Sequence, residues 1–229
     1  MNRIKYIEFL NFFKDNGYNF IYYNELKPIL KNQIILRHDV DFNPSFALEM
    51  AQIEYENNIK STYFFLVRNN MYNSLSHKNT ETIIKIKDLG HNISLHFDSQ
   101  IYKNIQEGLD SEILIFNSLF HENISIISYH RPPNKILENE FSPKKVKTTY
   151  DKEFFKDIKY FSDSSGVFRY GSPIDSNEFK IKENMQVLIH PIWWVSEGND
   201  RMNKIEWYKN KAQIWIEDNL NDNLNFYAK

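Results

Sequence analysis

Two carboxylates follow the first strongly apolar segment of the chain, in Arg37-His38-Asp39-Val40-Asp41 after Gln33-Ile34-Ile35-Leu36. Side chains alternate along a strand, so Asp39 and Asp41 lie on the same face. Two carboxylates on one face repel each other, and a cation explains them if one binds it while the other stays free as a base. The alternative is a solvated turn in which Asp41 caps the following helix, and this segment alone does not decide between the two.

Other polar residues follow further apolar segments that are predicted to be strands. They are His96 and Asp98, His130 and Arg131, Asp163, and His190. The carboxyl ends of parallel strands share one edge of the sheet, where α/β active sites are built. His and Asp donors without Cys suit zinc or another first-row divalent ion. A free carboxylate and a remote His would supply a general base and a general acid. The pattern therefore predicts metal-assisted hydrolysis of an amide or ester.

Strands and helices alternate along the chain and must position these residues. Predicted strands cover 33–39, 62–67, 92–97, 124–129, 158–162 and 185–189, and predicted helices cover 4–15, 44–58, 80–89, 103–121 and 201–220. This order predicts an α/β fold with a parallel sheet, open or closed into a barrel. Residues 132–150 and 164–184 are predicted to be long loops that help to build the site. No linker or repeat divides the chain, so we expect one domain over residues 1–229.

Composition excludes several classes of protein and of site. The net charge is −2 and no basic stripe is present, which argues against nucleic acid as a partner. The chain has no cysteine, which excludes disulfides and thiolate zinc sites. The N-terminus lacks an uninterrupted apolar segment, and no window of transmembrane length is free of charge. We therefore expect a cytoplasmic protein; the sequence does not indicate its oligomeric state.

The segment Gly90-His91-Asn92-Ile93-Ser94-Leu95-His96 resembles the G-H-E-I-G-x-H segment of polysaccharide deacetylases, the NodB-homology hydrolases of carbohydrate esterase family 4. Further motifs occur in the family's order between residues 37 and 194, namely R-H-D-V-D, H-R-P, Y-x-S-D-S and L-I-H-P-x-W-W. The combination most resembles a branch linked to bacterial O-antigen and other surface-polysaccharide gene clusters. The resemblance implies a distorted, incomplete (β/α) barrel and a zinc-dependent hydrolase that deacetylates a sugar.

The resemblance also implies a role for individual residues. It implies that Asp39 is the catalytic base, Asp41 and His96 are metal ligands, Arg131 orients the base, the backbone N–H of Asn134 is an oxyanion donor, Asp163 tunes the acid, and His190 is the general acid. Trp193 and Trp194 are expected to stack on a sugar ring; the alternative is that they pack against the core of the barrel. Tyr72 and Asn73 are expected to touch substrate or to form a plain turn.

One departure from the family pattern affects the metal site. The family's second motif is H-S/T-x-x-H, whereas here Gln100 replaces the second His of His96-Phe97-Asp98-Ser99-Gln100. The third ligand is therefore open, with His130 as the first choice and Asp98 and Gln100 as rivals. Two alternatives to the deacetylase follow, a metal-free glycan-binding pseudoenzyme on the same fold and a hydrolase of another small amide.

Overall fold

The computed structural model describes residues 3–138 and 140–224, and of Arg3 only the backbone. The strands are β1 Asn19–Ile21, β2 Gln33–Val40, β3 Thr62–Leu66, β4 Asn92–Phe97, β5 Ile126–Tyr129, β6 Lys147–Thr148, β7 Lys159–Ser162 and β8 Met185–Ile189. The helices are α1 Arg3–Asp15, α2 Pro44–Glu56, α3 His77–Asp88, α4 Ile105–Phe120, α5 Asn134–Leu137, α6 Lys152–Phe155, α7 Asn177–Lys180, α8 Pro191–Val195 and α9 Arg201–Asn223. In the described part of the chain no helix is long and apolar enough to cross a membrane.

All strand pairings are parallel, which confirms the predicted sheet. The strand order is β6-β5-β4-β3-β2-β8-β7, and β1 pairs with the first half of β2. Asp39 Oδ1 on β2 lies 3.3 Å from Ser128 Oγ on β5, although β3 and β4 separate the two strands. In a flat sheet three strand spacings amount to about 14 Å. The sheet therefore curls into a barrel, which stays open between β6 and β7 and confirms the predicted incomplete (β/α) barrel.

The alternation along β2 divides its side chains between two environments. Ile34 and Leu36 pack on the outer face against helices such as α1 and α2, whereas Ile35 packs inside the barrel with Phe64 and other residues. Arg37 and Asp39 share the inner face with Ile35, so the barrel interior becomes polar toward the carboxyl end of β2. Every residue of β2 is buried.

The structure differs from the predicted elements mainly in short segments. The predicted strands and long helices are found with ends shifted by a few residues; for example, α3 begins at His77 rather than at residue 80 and α9 extends to Asn223. The prediction missed β1, β6, α5, α6, α7 and α8. Of these, β6, α5, α6 and α7 lie in or beside the expected loops. These segments are too short to show a hydrophobic period, so tertiary contacts determine their conformation.

Candidate metal and catalytic site

Five strands bring the predicted site residues to one edge of the barrel. Asp39 is the second-last residue of β2, and Asp41 follows that strand directly. The other residues lie at or just after the carboxyl ends of their strands, His96 on β4, His130 after β5, Asp163 after β7 and His190 after β8. The structure thus places these residues at the carboxyl edge of the barrel.

Three ligand atoms form a nearly equilateral triangle at this edge. Asp41 Oδ1 lies 3.3 Å from both His96 Nε2 and His130 Nδ1, and the two nitrogens are 3.2 Å apart. Asp41 Oδ1 is a buried atom with no hydrogen-bond partner of acceptable geometry. Burial raises the pKa of the Asp41 carboxyl, but His130, His96 and His190 lower it more, so its pKa is held below the ordinary range. An ionised oxygen and two imidazole nitrogens thus converge on one point.

This triangle fits a divalent cation. Ligands placed tetrahedrally at about 2.0 Å from a zinc ion are about 3.3 Å from each other, which is the spacing found here. One carboxylate and two imidazoles also suit zinc and other first-row metals. His130 is therefore the third member of the candidate site. The rivals lie elsewhere, since Asp98 pairs with Arg131, and Gln100 Nε2 donates to the Arg131 carbonyl.

The hydrogen bonds behind His96 determine which of its nitrogens carries the proton. Ser128 Oγ lies 3.3 Å from Asp39 Oδ1 and 2.6 Å from His96 Nδ1. An ionised carboxylate only accepts, so the single hydroxyl proton of Ser128 is donated to Asp39. Ser128 must then accept from His96 Nδ1–H, which leaves the Nε2 lone pair facing Asp41 and His130. A metal ligand requires this tautomer.

Asp39 is held by an arginine on its own strand. Arg37 Nε donates to Asp39 Oδ1 at 2.9 Å, and Arg37 Nη2 donates to Oδ2 at 2.7 Å. Both side chains are buried, and the guanidinium lies between the rings of Phe64 and Tyr150, 5.6 and 5.0 Å from their centroids. Burial raises the pKa of the Asp39 carboxyl, but Arg37 and His96 lower it more, so Asp39 stays ionised.

The expected partner of Asp39 is thereby corrected from Arg131 to Arg37. Arg131 Nη2 donates to Asp98 Oδ2 at 2.6 Å, and its side chain is 63% exposed. Arg131 takes a left-handed backbone conformation with φ of 48°, which turns the chain directly after β5. The guanidinium therefore lies at the rim of the barrel and does not reach the buried Asp39.

Asp163 holds His190 in place. Asp163 Oδ1 lies 2.6 Å from His190 Nδ1, and its Oδ2 accepts a hydrogen bond from Trp194 Nε1 at 2.9 Å. His190 Nε2 faces the triangle, 3.9 Å from Asp41 Oδ2. Burial lowers the pKa of His190, whereas Asp163, Asp41 and Asp39 raise it, and the result is a pKa of about 9. His190 is therefore an imidazolium at neutral pH, the form that a general acid needs.

The predicted substrate contacts lie mostly in structural positions. Tyr72 is buried, and its hydroxyl donates to the Val40 carbonyl at 2.7 Å and accepts from the Leu66 N–H at 2.9 Å. Asn73 is exposed and accepts bonds within the turn before α3. Tyr72 thus joins the ends of β2 and β3 and does not face a substrate, which corrects its expected role. Of the two alternatives for Asn73, the structure shows the plain turn.

The two neighbouring tryptophans and Asn134 have different surroundings. Trp194 packs on Tyr6 and Phe9 and donates to Asp163, so it supports the acid rather than offering a free face to a sugar. Trp193 is partly buried and packs against the same outer core. Asn134 is exposed at the first residue of α5, and among the described residues no contact joins it to the triangle.

Sequence reasoning missed Arg37, Ser128 and the indole of Trp194. A signal for Arg37 was available, because the alternation that unites Asp39 with Asp41 also places Arg37 on their face. Ser128 had no such signal, since its role depends on the curl that brings β5 opposite β2.

Comparison with known proteins gives structural similarities only. No protein-family model matches the chain, and no curated protein matches it. It is similar to the structure of peptidoglycan deacetylase PdaC from Bacillus subtilis, with 14% identity and a TM-score of 0.48 over 82% of this chain and 86% of that one. It is also similar to the Streptococcus pyogenes deacetylase PplD in complex with acetate, with 14% identity and a TM-score of 0.48 over 91% and 87% of the two chains.

A third similar structure is BA3943, a CE4 family pseudoenzyme from Bacillus anthracis, with 12% identity and a TM-score of 0.44 over 85% of this chain and 68% of that one. At these identities and TM-scores, the similarities assign neither a family nor an activity to this chain.

Proposed function

We propose that this chain is a metal-dependent hydrolase of the polysaccharide deacetylase type, formed by a single domain. It removes an N-acetyl (or O-acetyl) group from a sugar in bacterial surface-polysaccharide biosynthesis, as in O-antigen clusters. The observation that carries the proposal is the Asp41–His96–His130 triangle, which lies between an arginine-held Asp39 and an Asp163-held His190. A ligand set, a base and an acid thus meet at one edge of the barrel.

Asp39 is the general base in this proposal. A carboxylate has about four acceptor positions, and the structure uses three of them, two for Arg37 and one for Ser128. The remaining position lies on Oδ2, which is 3.7 Å from His96 Nε2 and therefore next to the ligand triangle. Asp39 Oδ2 takes the proton of the attacking water as the C–O bond forms.

His190 is the general acid, because its protonated Nε2 faces the triangle while Asp163 holds Nδ1–H. The Nε2 proton passes to the sugar nitrogen (or oxygen) as the C–N (or C–O) bond to the acetyl group breaks. Acetate and a free amine (or hydroxyl) are the products. The backbone N–H of Asn134 is proposed as a donor to the oxyanion, a contribution of about 3–4 kcal/mol per donor in well-formed sites.

Zinc or another first-row divalent ion fits the triangle. When bound, it would polarise the acetyl carbonyl and lower the pKa of a water beside it. Asp41 Oδ1, His96 Nε2 and His130 Nδ1 would hold it, and the Ser128 bond would keep His96 in the binding tautomer.

Metal content tests this proposal and its ligand set. We expect about one metal ion per chain in the purified, zinc-reconstituted protein, by elemental analysis. His130→Ala should lose the metal, whereas Asp98→Ala and Gln100→Ala are matched controls that should retain it. Loss of metal from a control variant with retention in His130→Ala would overturn the ligand set.

One observation supports a second candidate, a metal-free glycan-binding protein on the same fold. Gln100 stands where the related motif has its second His, and its side-chain N–H donates a hydrogen bond to the Arg131 carbonyl. Failure of the protein to bind zinc, cobalt, nickel or iron after reconstitution would favour this candidate. A hydrolase of another small amide would bind metal and would be distinguished by a substrate panel.

A further inference from the structure

A cavity of about 770 Å³, which we call the seam cavity, lies at the open side of the barrel along β7. Its volume is within the range of sites for small organic ligands. Its wall contains none of the three residues of the triangle, and neither Asp39 nor His190. The seam cavity is therefore a compartment separate from the candidate metal site.

The charged side chains of the wall leave an excess of positive charge. Each of the three carboxylates in the wall is paired with a lysine, Asp157 with Lys152 at 3.0 Å, Glu178 with Lys159 at 3.1 Å and Glu183 with Lys31 at 2.8 Å. Lys156 and Arg169 also line the cavity, and neither has an ion pair with any described residue. Two cations of the wall are thus available to an anionic ligand.

The edge of the sheet adds main-chain donors to these cations. In the described sheet β7 pairs with β8 alone, and the N–H groups of Lys159 and Asp163 donate to carbonyls on the β8 side, each at 3.2 Å. Alternate residues of a parallel strand bond to the same neighbour, so the N–H groups of Tyr160 and Ser162 point toward the open side. Backbone N–H groups at a sheet edge can form part of an anion site.

Aromatic rings form much of the apolar part of the wall. Phe155 packs on Tyr150 and Tyr160, with centroids 5.2 and 5.0 Å apart. Tyr170 is 92% exposed and is the chain neighbour of Arg169. Nucleic-acid bases stack on aromatic side chains while nearby cations hold their phosphates. A planar ring that carries phosphate would use both parts of the wall, whereas inorganic phosphate or a neutral ring would use only one.

We propose that the seam cavity binds a nucleoside diphosphate, with its base on the aromatic rings, Tyr170 among them, and its phosphates at Lys156 and Arg169. A diphosphate matches the two cations that have no carboxylate partner. This site does not rest on the proposed hydrolase function. Phosphates also bind metal ions, so the proposal requires that binding persist when the metal site is disabled.

Calorimetric titration of the full chain, stripped of metal by a chelator and dialysed, tests the proposal. The probes are ADP, GDP, UDP and CDP, each compared with its nucleoside and with pyrophosphate. We expect at least one nucleoside diphosphate to bind about tenfold or more tightly than both its nucleoside and pyrophosphate. His130→Ala, which lacks a candidate metal ligand, should bind it as tightly as the wild type does.

Variants at the exposed residues of the wall separate the two parts of the ligand. Arg169→Gln and Lys156→Gln should each weaken binding of the diphosphate about tenfold. Tyr170→Ala should weaken it about tenfold and leave the binding of pyrophosphate unchanged. The matched controls are Lys78→Gln and Tyr55→Ala, because both residues are exposed but lie on α3 and α2, outside the cavity wall.

Four results would each overturn the proposal. They are no binding of any nucleoside diphosphate, equal binding of pyrophosphate, loss of binding in His130→Ala, and an effect of Arg169→Gln no larger than that of Lys78→Gln. The outcome is also distinct from that of the hydrolase proposal. A protein without hydrolase activity that binds the nucleotide as described would uphold the seam site, and an active hydrolase that binds no nucleotide would refute the seam site alone.

Discussion

Asp39 and Asp41 are two residues apart on one face, yet their surroundings give them different chemistry. Arg37 and Ser128 occupy most of the acceptor positions of Asp39, which leaves it as a fixed, ionised carboxylate. Asp41 Oδ1 has no hydrogen-bond partner and faces two imidazoles, which suits a metal ligand. The difference between the two carboxylates thus follows from their neighbours and not from residue type.

The two arginines near the site should differ sharply in their effect on stability. Arg37→Met leaves the buried Asp39 carboxylate without its partner, which we expect to lower the unfolding free energy by about 3–5 kcal/mol. Arg131→Met breaks a pair whose arginine is 63% exposed, and we expect a loss below about 1 kcal/mol. Urea denaturation of both variants measures this. Similar losses in the two variants would contradict the assignment of Arg37.

Ser128 should influence metal affinity although it touches no metal ligand atom. Ser128→Ala removes the acceptor that fixes the His96 tautomer, and we expect zinc affinity to fall about 10–100-fold in a chelator competition assay. Ser128→Thr keeps the hydroxyl and should restore most of the affinity. Ser94→Ala is the control, because Ser94 is a buried inward-facing serine that bonds to the Ile126 carbonyl. Unchanged zinc affinity in Ser128→Ala would refute the tautomer argument.

At the scale of elements, β2 connects the site with a second buried polar cluster on its outer face. His38 Nε2 lies 2.7 Å from Glu54 Oε1 on α2. Glu54 also accepts hydrogen bonds from Tyr6, Ser61 and Tyr63, so it joins α1, α2 and β3. Burial raises the pKa of Glu54, but His38, His91 and the Ser61 hydroxyl lower it more, to about 2.

This cluster predicts a specific loss of stability in acid. Ionised Glu54 stabilises the folded protein above its ordinary pKa of 4.5, and this contribution of about 3 kcal/mol is lost as the pH falls from 4.5 toward 2. Urea unfolding between pH 2 and 6 should show a loss of stability about 3 kcal/mol smaller in Glu54→Gln than in the wild type, because Asp39 and Asp41, whose pKa values are also lowered, still contribute to the loss in the variant. The exposed-residue control Glu206→Gln should follow the wild type. A wild-type slope in Glu54→Gln would contradict the prediction.

The sequence is sufficient for features that depend on period and chain order, and insufficient for those that depend on the curl of the sheet. Alternation along β2 and the shared carboxyl edge of parallel strands correctly brought Asp41, His96 and His190 together. The partner of Arg131 depended on one left-handed residue after β5, which no pattern indicates. The role of Ser128 required β5 to lie opposite β2, which only the curled sheet provides.

At the scale of the whole molecule, the candidate ligands come from three strands that are far apart in the sequence. β2, β4 and β5 supply Asp41, His96 and His130, and the unfolded chain does not keep these residues together. A metal that binds only the folded state must therefore stabilise the whole barrel. The metal would join the carboxyl ends of β2, β4 and β5 in a sheet that is open between β6 and β7.

Zinc should accordingly raise the melting temperature. At a free zinc concentration 100 times the dissociation constant, the expected stabilisation is about 2.7 kcal/mol, or about 5–10 °C for a chain of this size. Scanning calorimetry with and without zinc measures the shift. His130→Ala should abolish it, whereas Gln100→Ala should retain it. An equal zinc shift in His130→Ala would show that zinc binds elsewhere.

Release of acetate is the most direct test of the proposed activity. The protein would be stripped with a chelator, divided, reloaded or not with zinc, and incubated with a panel of acetylated monosaccharides and oligosaccharides while free acetate is quantified. We predict acetate release by the reloaded wild type, none by the stripped protein, and none by reloaded Asp39→Asn. Absence of acetate from every substrate, or release that is equal with and without metal, would contradict a metal-dependent deacetylase.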